Sequence, residues 1–180
     1  MNRLLVTFGF LIAFALCVAQ ERPLPLPTGW KMRQIPGTNV VLPLPGELEK
    51  QKDGKAGQNF EYESANLTVH VEVSQPDPKT SISRTVIEII GKSVLDSFQS
   101  AQGKTVTVLD SKATEVNHNP AYRVSLDITE GSTQLRLRLS ILGDESRLVI
   151  VSVVRKSPDF EVDALRIVNG IDVAKSGQHN

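Results

Sequence analysis

Glu61, His70 and Glu72 are the residues of this 180-residue chain whose types and spacing could hold a metal. Phe60-Glu61-Tyr62 and the run from Leu67 to Val73 alternate apolar and polar side chains, the period of half-buried strands. With Ala65-Asn66 closing a hairpin, His70 falls opposite Glu61, and Glu72 lies two residues along on the same polar surface. Two carboxylates and an imidazole on one face make a candidate weak site for a divalent cation. The competing reading is a solvated sheet face with a cross-strand ion pair. Ca²⁺ takes more oxygens and Zn²⁺ a fourth good ligand, and neither is visible in the sequence.

A second constellation is cationic. Arg123, Arg136 and Arg138 alternate onto one face of a meander, where they could meet a carboxylate or phosphate ligand. Interleaved Asp127 and Thr129 favour an ordinary polar face. Other chemistry finds little footing. A serine hydrolase would show Gly-x-Ser-x-Gly, which is absent, and His118 sits in a turn without nameable partners. There is no Gly-rich phosphate loop, no His-Glu-x-x-His and no acidic calcium loop. The sequence therefore names no catalytic residue and implies no cofactor.

Several elements must position these groups. Thr38 to Leu42, closed by Pro43-Leu44-Pro45-Gly46, predicts a short strand close to a sheet edge, with the prolines placing its end at that edge. From Ser81 the period lengthens, and Ile82, Val86, Ile89, Ile90, Val94 and Phe98 form a helical stripe. That predicts a helix over about Ser81–Gln102, capped by Thr80 or Ser81. Gly91 inside it costs about 1 kcal/mol against Ala, which implies close packing there. Thr105 to Leu109 and Ala113 to Val116 read as two short strands, and Asn117-His118-Asn119-Pro120 as a turn. Tyr122 to Ile128 and Leu135 to Ile141 alternate around a Gly131-Ser132 loop, which sets Asp127 opposite Arg136. Leu148 to Val154 is almost wholly apolar and suits a central strand covered on both faces. Ser157-Pro158-Asp159 predicts a helix over Pro158–Val168 with Phe160, Ala164, Ile167 and Val168 as its stripe. A brief extended end, Ile171 to Val173, follows. Antiparallel strands with two helices indicate an α+β fold.

The N-terminus carries an address. Arg3, an uncharged Leu4–Leu16 run and Cys17-Val18-Ala19 have the form of a signal peptide over residues 1–19. A lipid anchor on Cys17 is the rival, but Leu16 stands where a lipoprotein signal wants a small residue. Pro23, Pro25 and Pro27 make residues 20–29 a stiff tether. Residues 30–173 form a single domain, and 174–180 a polar tail. The expected mature chain begins at Gln20, with no transmembrane segment. Cys17 is the single cysteine, so the mature protein has neither disulfide nor thiol chemistry. Twenty basic and twenty acidic residues balance, which argues against nucleic acid as a partner. Asn66-Leu67-Thr68 fits a glycosylation sequon, which matters in a eukaryotic secretory pathway.

The order of elements resembles the PsbP/Mog-type fold family. The resemblance rests on Leu42-Pro-Leu-Pro-Gly46 before a hairpin and long helix, and on Asn119-Pro120-Ala121-Tyr122 entering a second hairpin. A hydrophobic strand, a Phe-containing helix and a short terminal strand complete it. It spans about Trp30 to Val173, and Asn119 stands where such proteins often carry Gly. It implies an antiparallel sheet with helices packed on its faces, an α/β/α sandwich. For function it implies an accessory or binding role without catalysis. Known members bind unrelated partners, so it names none. The expectation is thus an exported, non-catalytic accessory or binding protein, periplasmic or extracellular, with a protein or envelope partner. A weak divalent-metal or small-anion binding protein is the alternative, and a hydrolase ranks last.

Overall fold

A computed structural model describes residues 24–54, 57–75, 82–144 and 147–174. The expected signal peptide, the first part of the tether, Thr80, Ser81, His179 and most of the polar tail lie outside these residues. Ten strands are described: β1 (Lys31–Gln34), β2 (Val40–Leu44), β3 (Glu49–Lys50), β4 (Gly57–Glu63), β5 (Leu67–Ser74), β6 (Thr105–Val116), β7 (Asn119–Glu130), β8 (Thr133–Asp144), β9 (Arg147–Arg155) and β10 (Asp172–Val173). Helix α1 covers Arg84–Gln99 and α2 covers Glu161–Asn169. A seven-stranded antiparallel sheet runs in the order β3-β4-β5-β9-β8-β7-β6, and a three-stranded one in the order β1-β2-β10.

Strand β9 is central, as its apolar run requires. Val149, Val151 and Val153 are fully buried on one face of the sheet. They join Ala164, Ile167 and Val168 of α2 and Val40, Leu42 and Leu44 of β2 in one core. Leu148, Ile150 and Val154 point to the other face, where they pack with Tyr122, Leu126, Ile141 and α1. The seven-stranded sheet thus has α1 on one side, with α2 and the small sheet on the other. Ile150 is only partly covered, so the two faces of β9 are unequal.

Helix α1 is shorter than its apolar pattern suggested. Ser83, not Thr80 or Ser81, caps it by accepting a hydrogen bond from the Val86 amide. Its buried face is centred on Ile87 and Gly91, and Ile89 is 62% exposed. Gly91 explains the rotation: a Cβ there would penetrate the ring of Tyr122 on β7, so the glycine lets helix and strand close together.

Three other expectations change, and one holds in a modified setting. Thr105 to Val116 is one strand rather than two, with a bulge between Val108 and Asp110 that breaks its alternation and exposes Leu109. Strand β2 lies between β1 and β10, and its proline end is nonetheless at an edge, as expected. Its proline is tolerated because β10 pairs only with Val40 and Val41, leaving Pro43 a single neighbour. The second helix opens with a 3₁₀ turn, Pro158–Phe160, and Ser157 makes no side-chain cap. The Asn117-His118 pair forms a two-residue hairpin loop with φ of 47° and 66°, and Pro120 already belongs to β7.

Candidate functional site

The predicted hairpin register is present: Glu61 pairs with His70, and Glu72 with Asn59. All three candidate ligands therefore share a face, together with Thr68 and with Ser152, which pairs with His70 from β9. The main packing of α1 lies across β7, with β6 and β8, so this β4–β5 part of the face carries half-buried polar side chains. The ligands do not converge. Among the described residues no group of three or more His, Cys, Asp or Glu is placed to hold a metal ion. Alternation explains why, since residues two apart along a strand stand roughly 7 Å apart. Glu72 thus faces Asn59 instead of sharing a point with Glu61.

The arginine row is more informative. Arg123, Arg136 and Arg138 do share a face, and it is the face that meets α2. Asp127 lies opposite Arg136 as expected, and the guanidinium grips it with two bonds, Nε to Oδ1 at 2.7 Å and Nη2 to Oδ2 at 2.9 Å. Arg136 also reaches Glu161 in the first turn of α2, Nη1 to Oε1 at 3.3 Å. Arg138 donates to the same carboxylate and to Ser125 Oγ at 3.0 Å. Arg155 of β9 completes the cluster, with Nη1 3.1 Å from Glu161 Oε2. At the far end of α2, Arg123 donates to the Val168 carbonyl and to Asn169 Oδ1, both at 3.3 Å.

The helix is consequently clamped at both ends. A carboxylate in its first turn and a cation on its last carbonyls each suit the helix dipole. The hydrogen bond from Arg136 holds the Asp127 carboxyl below its ordinary range, against the opposing effect of burial. Burial pushes Glu161 up, but the bonds and charges of Arg138 and Arg136 outweigh it and the carboxyl is lowered as well. Arg136 is held protonated more firmly than usual, chiefly by Asp127. This is a structural use of charge, and the row does not stand open for a ligand.

Arg155 and Glu161 were missed in the sequence reading. Arg155 continues the Val149, Val151, Val153 parity of β9, a signal that was present. Glu161 gave only the general signal of an acid in a first turn. The tether is also engaged: Arg166 of α2 donates Nε to the Pro25 carbonyl at 3.0 Å and lies 5.5 Å over the Trp30 ring. His118 is in the exposed hairpin loop, with Asn117 beside it donating to Asp172 and to the Val173 carbonyl. Two shallow clefts are open to solvent. One, of about 250 Å³, is lined by Glu47, Glu49, Gln51, Glu61, Tyr62 and Glu63. The other, of about 370 Å³, lies around Arg147. Among the described residues no helix is long and apolar enough to cross a membrane.

Sequence comparison matches the chain to no family profile and to no curated protein. Structural comparison does find likenesses. The solution structure of cyanobacterial PsbP (CyanoP) from Synechocystis sp. PCC 6803 superposes with a TM-score of 0.57 at 12% identity, covering 82% of this chain and 94% of that one. A crystal structure from Bacteroides thetaiotaomicron VPI-5482 superposes with a TM-score of 0.51 at 13% identity, over 84% of this chain and 51% of that one. At such identities the likeness is one of fold. The chain has a PsbP-like α+β fold, a seven-stranded antiparallel sheet with two helices packed against it.

Proposed function

We propose that this is an exported accessory or binding protein of the cell envelope or extracellular space, without catalysis of its own. The observation that carries the reading is the use made of charge. Arg136, Arg138 and Arg155 meet on Glu161, and Arg123 holds the other end of α2, so the richest polar cluster builds the scaffold. A domain whose charges brace its own layers offers partners a rigid outer surface. The PsbP-like fold is consistent with an accessory role, and the signal-peptide pattern at residues 1–19 supports export.

The test has two arms. The full chain is expressed in an exporting host, crosslinked, and recovered from the envelope and culture fractions. A discrete partner enriched over a secreted control supports the reading. In parallel, the purified protein is incubated with ester, phosphoester and peptide substrates. Turnover abolished by one side-chain substitution would replace the accessory reading with the hydrolase.

A further inference from the structure

The cleft around Arg147 has the makings of an oxyanion site. It is formed where β4, β5 and β9 end beneath the β1–β2 turn, and its lining is Gly37, Gly57, Gln58, Val73, Gln75 and Arg147. Its volume of about 370 Å³ lies near the small end of ligand pockets, roughly 300–1,000 Å³. The register fixes where the cation comes from: Arg147 opens β9 and pairs with Asp144 at the end of β8.

Arg147 differs from the other arginines near this sheet. Arg136, Arg138 and Arg155 are drawn onto carboxylates, whereas Arg147 has no hydrogen bond or ion pair among the described residues. The nearest acid in register, Asp144, is 3% exposed and turned to the turn above, where its Oδ2 accepts the Asn39 amide at 2.8 Å. A half-buried guanidinium thus lines the cleft with no acceptor for its donors among the described residues. Gly37 sets its position. With φ of 74°, that residue turns in the left-handed region, and a Cβ there would stand 3.2 Å from Arg147 Nη1. The glycine lets the guanidinium lie against the turn. The exposed amides of Gln58 and Gln75 line the same space and can donate alongside it.

We infer that this cleft binds a small oxyanion, the carboxylate or phosphate group of a ligand, on the fork of Arg147 with help from the two glutamine amides. A guanidinium matches either group with paired N–H donors. The inference is independent of the accessory role proposed above, since a partner protein need not touch this cleft.

Amide NMR titrations with inorganic phosphate and with succinate, at ionic strength held constant with chloride, test it. Saturable shifts at Gly37, Gln58, Gln75 and Arg147 are expected for at least one probe, and the probe that saturates distinguishes phosphate from carboxylate. Arg147→Gln should weaken that binding at least tenfold with the rest of the spectrum unchanged. Gln75→Leu should weaken it severalfold while keeping the cation. Shifts linear in concentration and equal for chloride would overturn the inference, as would saturation unaltered in Arg147→Gln. A failure of Arg147→Gln to fold would also overturn it, by showing that the guanidinium is structural.

Discussion

Replacing Glu161 by Gln removes one charge and almost no volume, and it strikes the point where three guanidiniums meet. The side chain of Glu161 is 26% exposed, and those of Arg136, Arg138 and Arg155 are 25%, 14% and 13% exposed. The cluster is therefore neither a surface pair, worth about 0–1 kcal/mol, nor a fully buried one, whose rupture costs about 3–5 kcal/mol. Asp127 still neutralises Arg136 in the variant, but Arg138 and Arg155 lose their carboxylate. A loss of about 2–3 kcal/mol at pH 7 follows, or roughly 4–12 °C in Tm for a domain of this size. The pH dependence gives the sharper signature. The carboxyl of folded Glu161 is held below its ordinary range by Arg138 and Arg136, so its contribution is complete above that range and fades as pH falls through the folded pKa. Urea denaturation of wild type and Glu161→Gln from pH 7 to pH 2.5 should show a constant gap down to about pH 5 that closes below pH 4. Equal stability at pH 7 would refute the clamp. A gap that persisted unchanged at pH 2.5 would mean that packing, not charge, separates the two proteins.

Other consequences follow from the same contacts. Gly91→Ala gains helix propensity of about 1 kcal/mol but drives a methyl into Tyr122. We expect a net loss of about 1–3 kcal/mol by denaturant titration, and a neutral or stabilised variant would contradict that packing. Val151→Asp buries a charge at a fully enclosed position of the central strand and should abolish the cooperative transition in circular dichroism. Ile150→Asp, on the partly covered face, should cost less, and the reverse order would mean that the two faces of β9 are misassigned. Joint replacement of Glu61, His70 and Glu72 by Ala should alter stability by under about 1 kcal/mol, and calorimetry with Zn²⁺ or Ca²⁺ should show no saturable heat in the wild type. Intact mass of the exported protein should place the N-terminus at Gln20, whereas a diacylglycerol adduct on Cys17 would establish a lipid anchor.

The parts legible in the sequence were those governed by local periodicity. Alternation with a short turn fixes register, so Glu61 opposite His70 and Asp127 opposite Arg136 could be read before any coordinates. The apolar run at Leu148–Val154 likewise identified the central strand. Contacts between distant elements were not legible. Glu161 meets Arg138 across 23 residues of sequence, and only the seating of α2 on the sheet brings them together. Strands β1 and β3 have four and two residues with largely exposed side chains, so pairing rather than pattern creates them. On α1 the stripe expected from the sequence includes Ile89 and leaves out Ile87, whereas Ile87 is buried and Ile89 exposed, a setting fixed by the close approach of Gly91 to Tyr122. The bulge at Leu109 hid a single long strand by switching the parity of its side chains.

In-cell photo-crosslinking would show whether this scaffold serves as a binding surface after export, as proposed. A photoreactive amino acid would be placed in the full chain at Ile89, Leu109 and Val162, which are 62%, 46% and 54% exposed on α1, β6 and α2. Wild-type-like melting of each variant would be verified first. A discrete, light-dependent adduct is expected from at least one position, formed by exported protein and competed by unlabelled wild type. Absence of an adduct at all three positions, together with substrate turnover by the same purified protein, would contradict the proposed binding role.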